Sequence, residues 1–529
     1  MTESESTPQV SNDPPADPRL VSYFRAGYPL LYMVTAEEAR AEAEIARAVT
    51  TPSVRRVKLY VWSTTEGLFD ITKPNQTNDK LKDPKAALEH LKATKEAKTV
   101  YVFRDLHAFF VAPVVRLLRD LARDLKQIQS TIIIMSPVQK IPPELQRDAV
   151  QMDFELPTRD QIGQTFIKLY GGNKAKLEQK GLLVTEDEQE RIIDAAMGLT
   201  STEAENAFSK AIVDSVTGGG RISQLVLKEK ALAVKKSGVL EYFETTENLG
   251  SIGGLDVLKM WMQKRARAFT KKARAFGLPT PKGVLLSGIP GTGKSLAAKA
   301  ASGIMQVPLI RFDISRVFGG LVGQSEEQMR TALQTIDAMG PCIVWVDEME
   351  KAFAGAGGTG SGDSGVTRRV FGNFLTWMQE KTTPSFIIAT TNSIAGIPPE
   401  MLRRGRFDEN FFIGLPNTKE REQIFKIHLR KNNRHNRPID IGQCVAASNG
   451  YTGAEIEYSI ADGLYTAFDK DRDLETEDII QGIKSTNPIS RAFAAELKDM
   501  IGWAQVNAVN ASLPTGHDEE GQGGRTLAL

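Results

Sequence analysis

Cysteine is almost absent from this chain of 529 residues, which contains only Cys342 and Cys444. Two cysteines cannot build a disulfide framework or a cysteine-rich metal site, so we expect a protein of a reducing compartment. Long apolar runs are missing too, since no stretch approaches the roughly 20 residues that a membrane-spanning helix needs. The first residues also lack a basic region followed by an apolar one. The sequence therefore predicts a soluble, cytoplasmic protein that does not enter a membrane.

The sequence also lacks an excess of charge of one sign. Lys and Arg number 66 and Asp and Glu number 65, which gives a formal net charge of +1. Because duplex-binding proteins usually carry a marked basic excess, this balance argues against a broad nucleic-acid surface, although it leaves a local basic patch open. The five histidines show neither metal-ligand spacing nor an HExxH motif. A fused zinc protease is therefore not predicted.

Residues 288–295 read GIPGTGKS and match the phosphate-binding pattern G-x-x-x-x-G-K-[ST]. The octapeptide follows an apolar run and precedes a helix-forming segment, which is the order that the pattern requires. Glycines let backbone N–H groups face a phosphate chain at the positive end of the helix. Lys294 is predicted to reach the β- and γ-phosphates, and Ser295 to hold Mg²⁺; a purely structural glycine turn is the alternative. The predicted ATP contacts in this loop are Gly288, Ile289, Pro290, Gly291, Thr292, Gly293, Lys294, Ser295 and Leu296.

A pair of carboxylates follows the apolar run 343–346. A carboxylate at a strand end beside a phosphate loop suits the Mg²⁺ shell, and an adjacent carboxylate can polarise a water molecule for attack on the γ-phosphate. We therefore assign Asp347 to Mg²⁺ and Glu348 to water activation. The alternative, a solvated helix start, is disfavoured because the pair follows four apolar residues.

Two later groups complete the predicted catalytic set. Asn392 follows the apolar strand 386–390, where its amide could orient the attacking water, although asparagine after a strand is often a turn former. Arg403, Arg404 and Arg406 concentrate three guanidinium groups in four positions. Arginines supplied across a subunit interface can stabilise charge on a transferring phosphoryl group. Taken alone, the arginine cluster is more typical of a solvated turn than of a catalytic site.

Four landmarks occur twice in the same order, which indicates an internal repeat. Each half contains an apolar strand ending in aspartate, a Pro-Pro-Glu turn, a Leu-Pro pair and the pattern G-x-T-x-x-E-x-E. The first copy has no glycine loop, and Leu106 follows its Asp105 at the point where Glu348 follows Asp347. We therefore expect a duplicated module that keeps the scaffold and has lost hydrolysis. An unrelated α/β domain with coincidental turns is the alternative.

Residues 240–500 resemble an ATPase of the AAA clade, through the loop 288–295, Asp347–Glu348, Asn392 and the segment LRRGRFD at 402–408. The whole chain is similar to the plastid-encoded and cyanobacterial AAA proteins known as a hypothetical chloroplast open reading frame. The resemblance implies a P-loop module with a parallel sheet between helices, a C-terminal helical lid, and ATP and Mg²⁺ as ligands. It also implies that Asn392 is the sensor and that Arg403 and Arg406 act in trans. The adenine surroundings it implies are Ile252, Gly253, His428 and Ala454.

The predicted fold class is α/β, because strand-like apolar runs alternate with helical segments in both halves. A glycine-rich insert at 355–365 is predicted to be a surface loop. The predicted divisions are a disordered tail (1–17), a degenerate AAA-like module without a P-loop (18–235), a connector (236–250), the large α/β ATPase subdomain (251–416), the helical lid (417–505) and a C-terminal tail (506–529).

The resemblance also implies a pore loop, for which the candidates are Phe318, Leu321 and Val322. Leu321 stands where many unfoldases carry an aromatic residue, and packing of Leu321 and Val322 on the next helix is the alternative. We expect an ATP hydrolase that assembles with itself, as a hexamer, and remodels a protein partner. A nucleotide-dependent regulatory switch is the second hypothesis, and a DNA-linked motor the third.

Overall fold

The computed structural model describes residues 16–54, 58–73, 76, 78–179, 183–236, 238–243, 249–269, 273, 275–317, 324–353, 364–403 and 405–513. The chain divides into two compact units. The first consists of Met1–Leu156 with Thr200–Thr202, and the second of Pro157–Leu199 with Glu203–Leu529. Within the described ranges, no helix combines the length and the apolar character needed to cross a membrane.

The first unit is an α/β layer. Its strands are β1 (Leu30–Val34), β2 (Lys58–Ser63), β3 (Gly67–Asp70), β4 (Thr99–Arg104), β5 (Thr131–Ser136) and β6 (Val150–Asp153). Its helices are α1 (Pro18–Ala26), α2 (Glu38–Thr50), α3 (Pro84–Thr94) and α4 (Ala112–Gln127). The strand order is β3-β2-β4-β5-β1-β6, in which β2 and β3 are antiparallel and the other neighbours are parallel. The predicted parallel sheet of the first half is confirmed.

Both faces of this first sheet are buried, as expected for parallel strands between helices. Alternate residues of β1 show the pattern, since Leu30 and Tyr32 join one apolar core and Leu31 and Met33 join the other. Ion pairs lie at the carboxyl end of the sheet. Arg104, the last residue of β4, donates hydrogen bonds to both carboxylate oxygens of Glu42, at 2.6 and 2.9 Å. This edge therefore carries a cation already paired with carboxylates.

The second unit begins with a helical region that has its own apolar core. Its helices are α5 (Arg159–Gln179), α6 (Glu186–Ala196), α7 (Ser201–Gly218) and α8 (Ile222–Lys236). Residues 157–199 group with the second unit, whereas the sequence placed everything up to residue 235 in one module. Apolar contacts explain this grouping. Helices α5 and α6 share a core with α8, and Val234 of α8 belongs to the same core as the ATPase sheet.

The sheet of the second unit contains the P-loop strand near its centre. Its strands are β7 (Leu240–Phe243), β8 (Gly283–Ser287), β9 (Leu309–Phe312), β10 (Cys342–Val346), β11 (Ser385–Thr391), β12 (Glu409–Phe412) and β13 (Val509–Asn510). The order among described strands is β13-β12-β8-β11-β10-β9-β7, parallel except for the edge strand β7. The predicted AAA-type α/β fold is confirmed.

Helices cover both faces of this sheet and form the C-terminal lid. The helices of the large part are α9 (Asp256–Ala266), α10 (Lys294–Met305), α11 (Ile314–Val317), α12 (Gln324–Ala338), α13 (Met349–Phe353) and α14 (Ser364–Glu380). The C-terminal helices are α15 (Thr418–Lys431), α16 (Ile441–Ala447), α17 (Gly453–Asp469), α18 (Thr476–Ser485), α19 (Ile489–Ala492) and α20 (Ala494–Asn507). Helices α15 to α18 share one apolar core, which confirms the predicted helical C-terminal region.

Two short strands lie where the sequence predicted a connector and a tail. Residues 240–243 of the predicted connector form β7, which pairs with β9. Beyond residue 506, Val509 and Asn510 pair with β12, and Val509 is fully buried. The reason in both cases is tertiary, because edge strands of two to four residues carry no periodicity of their own and are stabilised by the strand beside them.

Candidate nucleotide-binding and hydrolysis site

A cavity of about 800 Å³ lies between the P-loop and the lid helices. The parallel strands β8, β11 and β10 are neighbours, so their carboxyl ends meet at one edge of the sheet, where ligands of open α/β sheets bind. The P-loop, the end of β10 and the segment after β11 line one side, and α15 and α17 line the other. The cavity volume falls within the range of ordinary small-molecule sites.

The P-loop glycines are required by close backbone approaches. A Cβ atom on Gly288 would lie 2.2 Å from the carbonyl oxygen of Ile413. Gly291 has φ +83°, and a Cβ atom there would lie 2.8 Å from Oγ1 of Thr452. The loop also contacts the lid directly, because the N–H of Ala454 donates to the carbonyl oxygen of Gly291 at 3.2 Å. A change of lid position would therefore alter a hydrogen bond of the phosphate loop.

Lys294 is buried inside the loop, at the first position of α10. Its Nζ donates to the carbonyl oxygens of Gly288 and Ile289, at 2.7 Å each. Burial lowers the pKa of Lys294 to about 8, although the nearby carboxylates of Glu350 and Asp347 act in the opposite direction. The sequence assigned Lys294 to the β- and γ-phosphates. Because an anion stabilises a buried ammonium, the burial of Lys294 at the loop favours an anionic ligand.

The lowered pKa of Lys294 predicts proton uptake when ATP binds at high pH. Below pH 8 the lysine is charged in both the folded and the unfolded protein, and the folded state is then destabilised most, because the charge is buried. Between pH 8 and 10.5 the folded protein loses the proton while the unfolded chain keeps it, so this destabilisation decreases as the pH rises. Phosphate oxygens favour the charged amine and raise its pKa. We expect a proton uptake at pH 9 that is much larger than the uptake at pH 7, measured by calorimetry in buffers of different ionisation enthalpy.

A matched variant for this titration is Lys294→Arg, because a guanidinium stays protonated at pH 9. The variant is expected to lose the proton uptake at pH 9 wherever it still binds ATP. Equal uptake by the parent and by Lys294→Arg would show that another group titrates.

The two predicted Mg²⁺ ligands lie side by side. The hydroxyl of Ser295 donates to Oδ1 of Asp347 at 3.2 Å. A hydroxyl, a carboxylate and phosphate oxygens are the hard donors that Mg²⁺ prefers, with water in the remaining positions. No group of three or more His, Cys, Asp or Glu residues suited to a metal occurs among the described residues. The Ser295 hydroxyl and the Asp347 carboxylate therefore fit a metal that binds together with the nucleotide.

Glu348 and Asn392 also meet in the cavity. Nδ2 of Asn392 donates to Oε1 of Glu348 at 3.3 Å, and Nζ of Lys351 donates to Oε2 at 2.6 Å. The backbone N–H of Asn392 is held separately by Oε1 of Glu350, at 3.1 Å. The carboxylate and the amide that the sequence assigned to water activation therefore flank the same space. Glu348 has φ +48°, which is uncommon for a residue with a side chain.

The residues predicted around the adenine line the same cavity. Ile252, Gly253, His428 and Ala454 all line it. Burial lowers the pKa of His428, although Glu457, whose Oε1 lies 3.4 Å from Nδ1, acts in the opposite direction. The lowered pKa favours the neutral imidazole, which suits an uncharged base.

Several lining residues were not predicted from the sequence. They include Ile424 and Ile427 of α15, Glu457 beside His428, and Thr390 beside Asp347. Ile424 and Ile427 are spaced by three on the helix that carries His428, so helical periodicity provided a signal. Thr452 and Glu455 form a capping box at the start of α17, which the T-x-x-E pattern also indicates.

The predicted arginines lie apart from the cavity. Arg403 lines a separate groove of about 590 Å³, together with Arg265 and Lys282. Arg406 donates to the carbonyl oxygen of Glu400. Neither residue lines the nucleotide cavity of its own chain. Arg404 and the pore-loop candidates Phe318, Leu321 and Val322 lie outside the described residues.

The P-loop α/β sheet with a helical lid over its phosphate loop defines the AAA class of nucleotide-binding proteins. Comparison with family models agrees. The model "ATPase family associated with various cellular activities (AAA)" matches residues 284–415. The N-terminal domain and the second domain of SpoVK-like AAA ATPases match residues 17–154 and 161–237.

Comparison with curated proteins extends the similarity to nearly the whole chain. The AAA domain-containing protein ycf46 of Guillardia theta is 37% identical over 489 residues, which cover 92% of this chain and 94% of that protein. The ycf46 protein of Pyropia yezoensis is 37% identical over 93% of this chain and 98% of its own length. The chain therefore belongs to the AAA ATPase family, as its sequence motifs predicted.

Other relatives match a smaller part of the chain. The cell division cycle protein 48 homolog of Archaeoglobus fulgidus is 34% identical over 211 residues, or 39% of this chain and 28% of that protein. The chloroplastic ATP-dependent zinc metalloprotease FTSH 6 of Arabidopsis thaliana is 31% identical over 47% of this chain and 37% of its own length. Membership of this family supports ATP binding and hydrolysis in general terms.

Proposed function

We propose that this protein hydrolyses ATP with Mg²⁺ as an oligomer, in which arginines of a second copy complete each nucleotide cavity. One observation carries the proposal. The cavity brings together Lys294, the Ser295–Asp347 pair and the Glu348–Asn392 pair, while Arg403 and Arg406 lie elsewhere on the same chain. A single copy therefore supplies phosphate, metal and water sites without Arg403 and Arg406, the arginines assigned to stabilising the transition state.

The reaction that this site supports is the transfer of a phosphoryl group to water. Lys294 would contact the β- and γ-phosphates, and Ser295 and Asp347 would hold Mg²⁺, which neutralises phosphate charge. Glu348 would accept a proton from a water molecule that Asn392 helps to orient. The water oxygen then bonds to the γ-phosphorus while the bond from that phosphorus to the β–γ bridging oxygen breaks, giving ADP and phosphate.

An exposed aromatic surface on the lid supports self-assembly. We call it the α17 stripe: Tyr458, Tyr465 and Phe468, which are spaced by seven and three residues and so share one face of α17. Tyr465 is 78% exposed and Phe468 is 82% exposed. The first turn of the same helix lines the nucleotide cavity. Exposed apolar patches of this kind mark interaction sites.

A second surface includes the groove of Arg403, which Arg265 and Lys282 also line. These two residues belong to a basic stretch of the sequence, because 264–282 contains seven Lys or Arg residues and no Asp or Glu. Phe276, a described residue of the same stretch, is 82% exposed. By contrast, α17 contains four acidic residues and no basic one. Two different complementary patches on one chain make a head-to-tail contact, which closes into a ring when the rotation allows it. Such a contact would also bring Arg403 towards the cavity beside the neighbour's α17, and a hexamer is the ring that we propose.

The proposed task of this oligomer is the remodelling of a protein partner. Partial similarity to an ATP-dependent zinc metalloprotease, which by its name acts on polypeptides, supports a polypeptide as the partner. The balanced net charge supports the same choice over a nucleic acid.

The double change Tyr465→Ser and Phe468→Ser is expected to prevent assembly, because it removes most of the apolar area of the α17 stripe. At protein concentrations where the parent is assembled, we expect the variant to remain monomeric and its ATPase rate per subunit to fall at least about tenfold, since it loses the trans arginines. Mass photometry in ATP and Mg²⁺, together with phosphate release, measures both effects.

Val213→Ser provides the control, because Val213 is an exposed apolar residue on α7, outside the α17 stripe. It should assemble and hydrolyse ATP as the parent does. An assembled double variant with the parent's rate would show that the α17 stripe is not the contact.

A further inference from the structure

Thr390 occupies a central position between the two carboxylates of the site. It is the second-last residue of β11 and is 1% exposed. Its hydroxyl donates to Oδ1 of Asp347 at 2.6 Å and accepts a hydrogen bond from the backbone N–H of Glu348 at 3.0 Å. We propose that Thr390 is a positioning residue for ATP hydrolysis, acting through Asp347 and Glu348; this inference rests on the proposed function.

The contact with Glu348 fixes a strained turn. Glu348 has φ +48°, a conformation that residues with a Cβ atom adopt only where their surroundings hold it. The backbone N–H of this residue bonds to the hydroxyl of Thr390. Since φ and ψ set the direction of the side chain, the hydroxyl of Thr390 helps to aim the Glu348 carboxylate towards Asn392. Strain of this kind, held by a buried neighbour, is typical of active sites.

The contact with Asp347 orients a predicted metal ligand. Oδ1 of Asp347 accepts hydrogen bonds from two hydroxyls, those of Thr390 and Ser295. Ser295 would turn towards the metal, whereas Thr390 lies on the adjacent strand and remains to hold the carboxylate. Groups that hydrogen-bond to a ligating carboxylate fix its direction and contribute to metal affinity.

The neighbouring Thr391 shows that this role depends on strand geometry. Successive side chains of a strand point to opposite faces. The hydroxyl of Thr391 accordingly turns to its own loop and donates to the carbonyl oxygen of Ser393 at 2.7 Å. Of two adjacent threonines, only Thr390 contacts the site carboxylates.

Thr390→Val tests the inference, because valine keeps the shape of threonine and removes the hydroxyl. We expect a fall in kcat of about tenfold to a hundredfold, the usual cost of losing a group behind a metal ligand. The Mg²⁺ concentration for half-maximal rate should rise, while the affinity for ATP without Mg²⁺ changes little. Thr390→Ser keeps the hydroxyl and should restore kcat to within about threefold of the parent.

The readouts are kcat, KM for ATP and the Mg²⁺ dependence, measured for parent and variants under assembled conditions. An unchanged kcat and Mg²⁺ dependence in Thr390→Val would overturn the inference, as would equal losses in the valine and serine variants. If Thr390→Val does not fold, Thr390→Ala removes the same hydroxyl and is read in the same way. A parent that does not hydrolyse ATP overturns the proposed function and this inference with it, whereas an active parent matched by Thr390→Val overturns the inference alone.

Discussion

Replacement of Glu348 by Gln is expected to lower the ATPase rate by about two to four orders of magnitude, the range of general base catalysis. Glutamine keeps the size of the side chain and its ability to accept from Asn392, yet it cannot take a proton from water. ATP binding should persist, because Lys294 and the phosphate loop, which are predicted to hold the phosphates, are unchanged. Single-turnover phosphate release and equilibrium binding of a fluorescent ATP analogue separate the two steps.

Glu380→Gln is the matched control, because Glu380 is exposed at the end of α14 and does not line the cavity. It should bind and hydrolyse ATP at the parent's rate. Equal rates for parent and Glu348→Gln would remove Glu348 from water activation. The Glu348→Gln variant with bound ATP should also retain a protein partner. If the parent hydrolyses ATP but its Glu348→Gln variant retains no partner, the proposed ATPase activity stands and the proposed remodelling is contradicted.

Much of the candidate site follows from sequence because motif residues stand at strand ends. Once 283–287, 342–346 and 385–391 form neighbouring parallel strands, the residues after them meet at one edge, which brings Lys294, Asp347 and Asn392 together. No sequence motif predicts the order of the strands in the sheet. The role of Thr390 depends on β11 lying directly beside β10, so in the sequence it looks like an ordinary strand residue.

The remaining differences have a related cause. β13 is two residues long and is defined by its pairing with β12, so no local pattern predicts it. The connection of α8 to the ATPase core depends on Val234 and Leu240 packing against residues far along the chain. Local propensity carries no information about such partners. The glycine loop, by contrast, depends on eight consecutive residues, so its motif can be recognised in the sequence.

Arg406→Ala is expected to lower the ATPase rate by about three orders of magnitude, as loss of an arginine supplied across an interface does. In its own chain Arg406 donates to the carbonyl oxygen of Glu400 and does not line the cavity, so ATP binding by a single copy should be unaffected. Arg406→Lys should recover only part of the rate, because an ammonium lacks the planar fork of a guanidinium. Arg116→Ala, which removes an exposed arginine on α4, should behave as the parent.

The most direct test of a site completed by a second copy is the ATPase rate per subunit as a function of protein concentration. It should be measured for the parent and for Arg406→Ala, with particle mass recorded in ATP and Mg²⁺. We predict that the parent's rate per subunit rises as particles assemble, and that Arg406→Ala assembles equally well but stays slow at every concentration. A parent that remains monomeric and hydrolyses ATP at one rate throughout, with or without Arg406, would contradict the trans-arginine site.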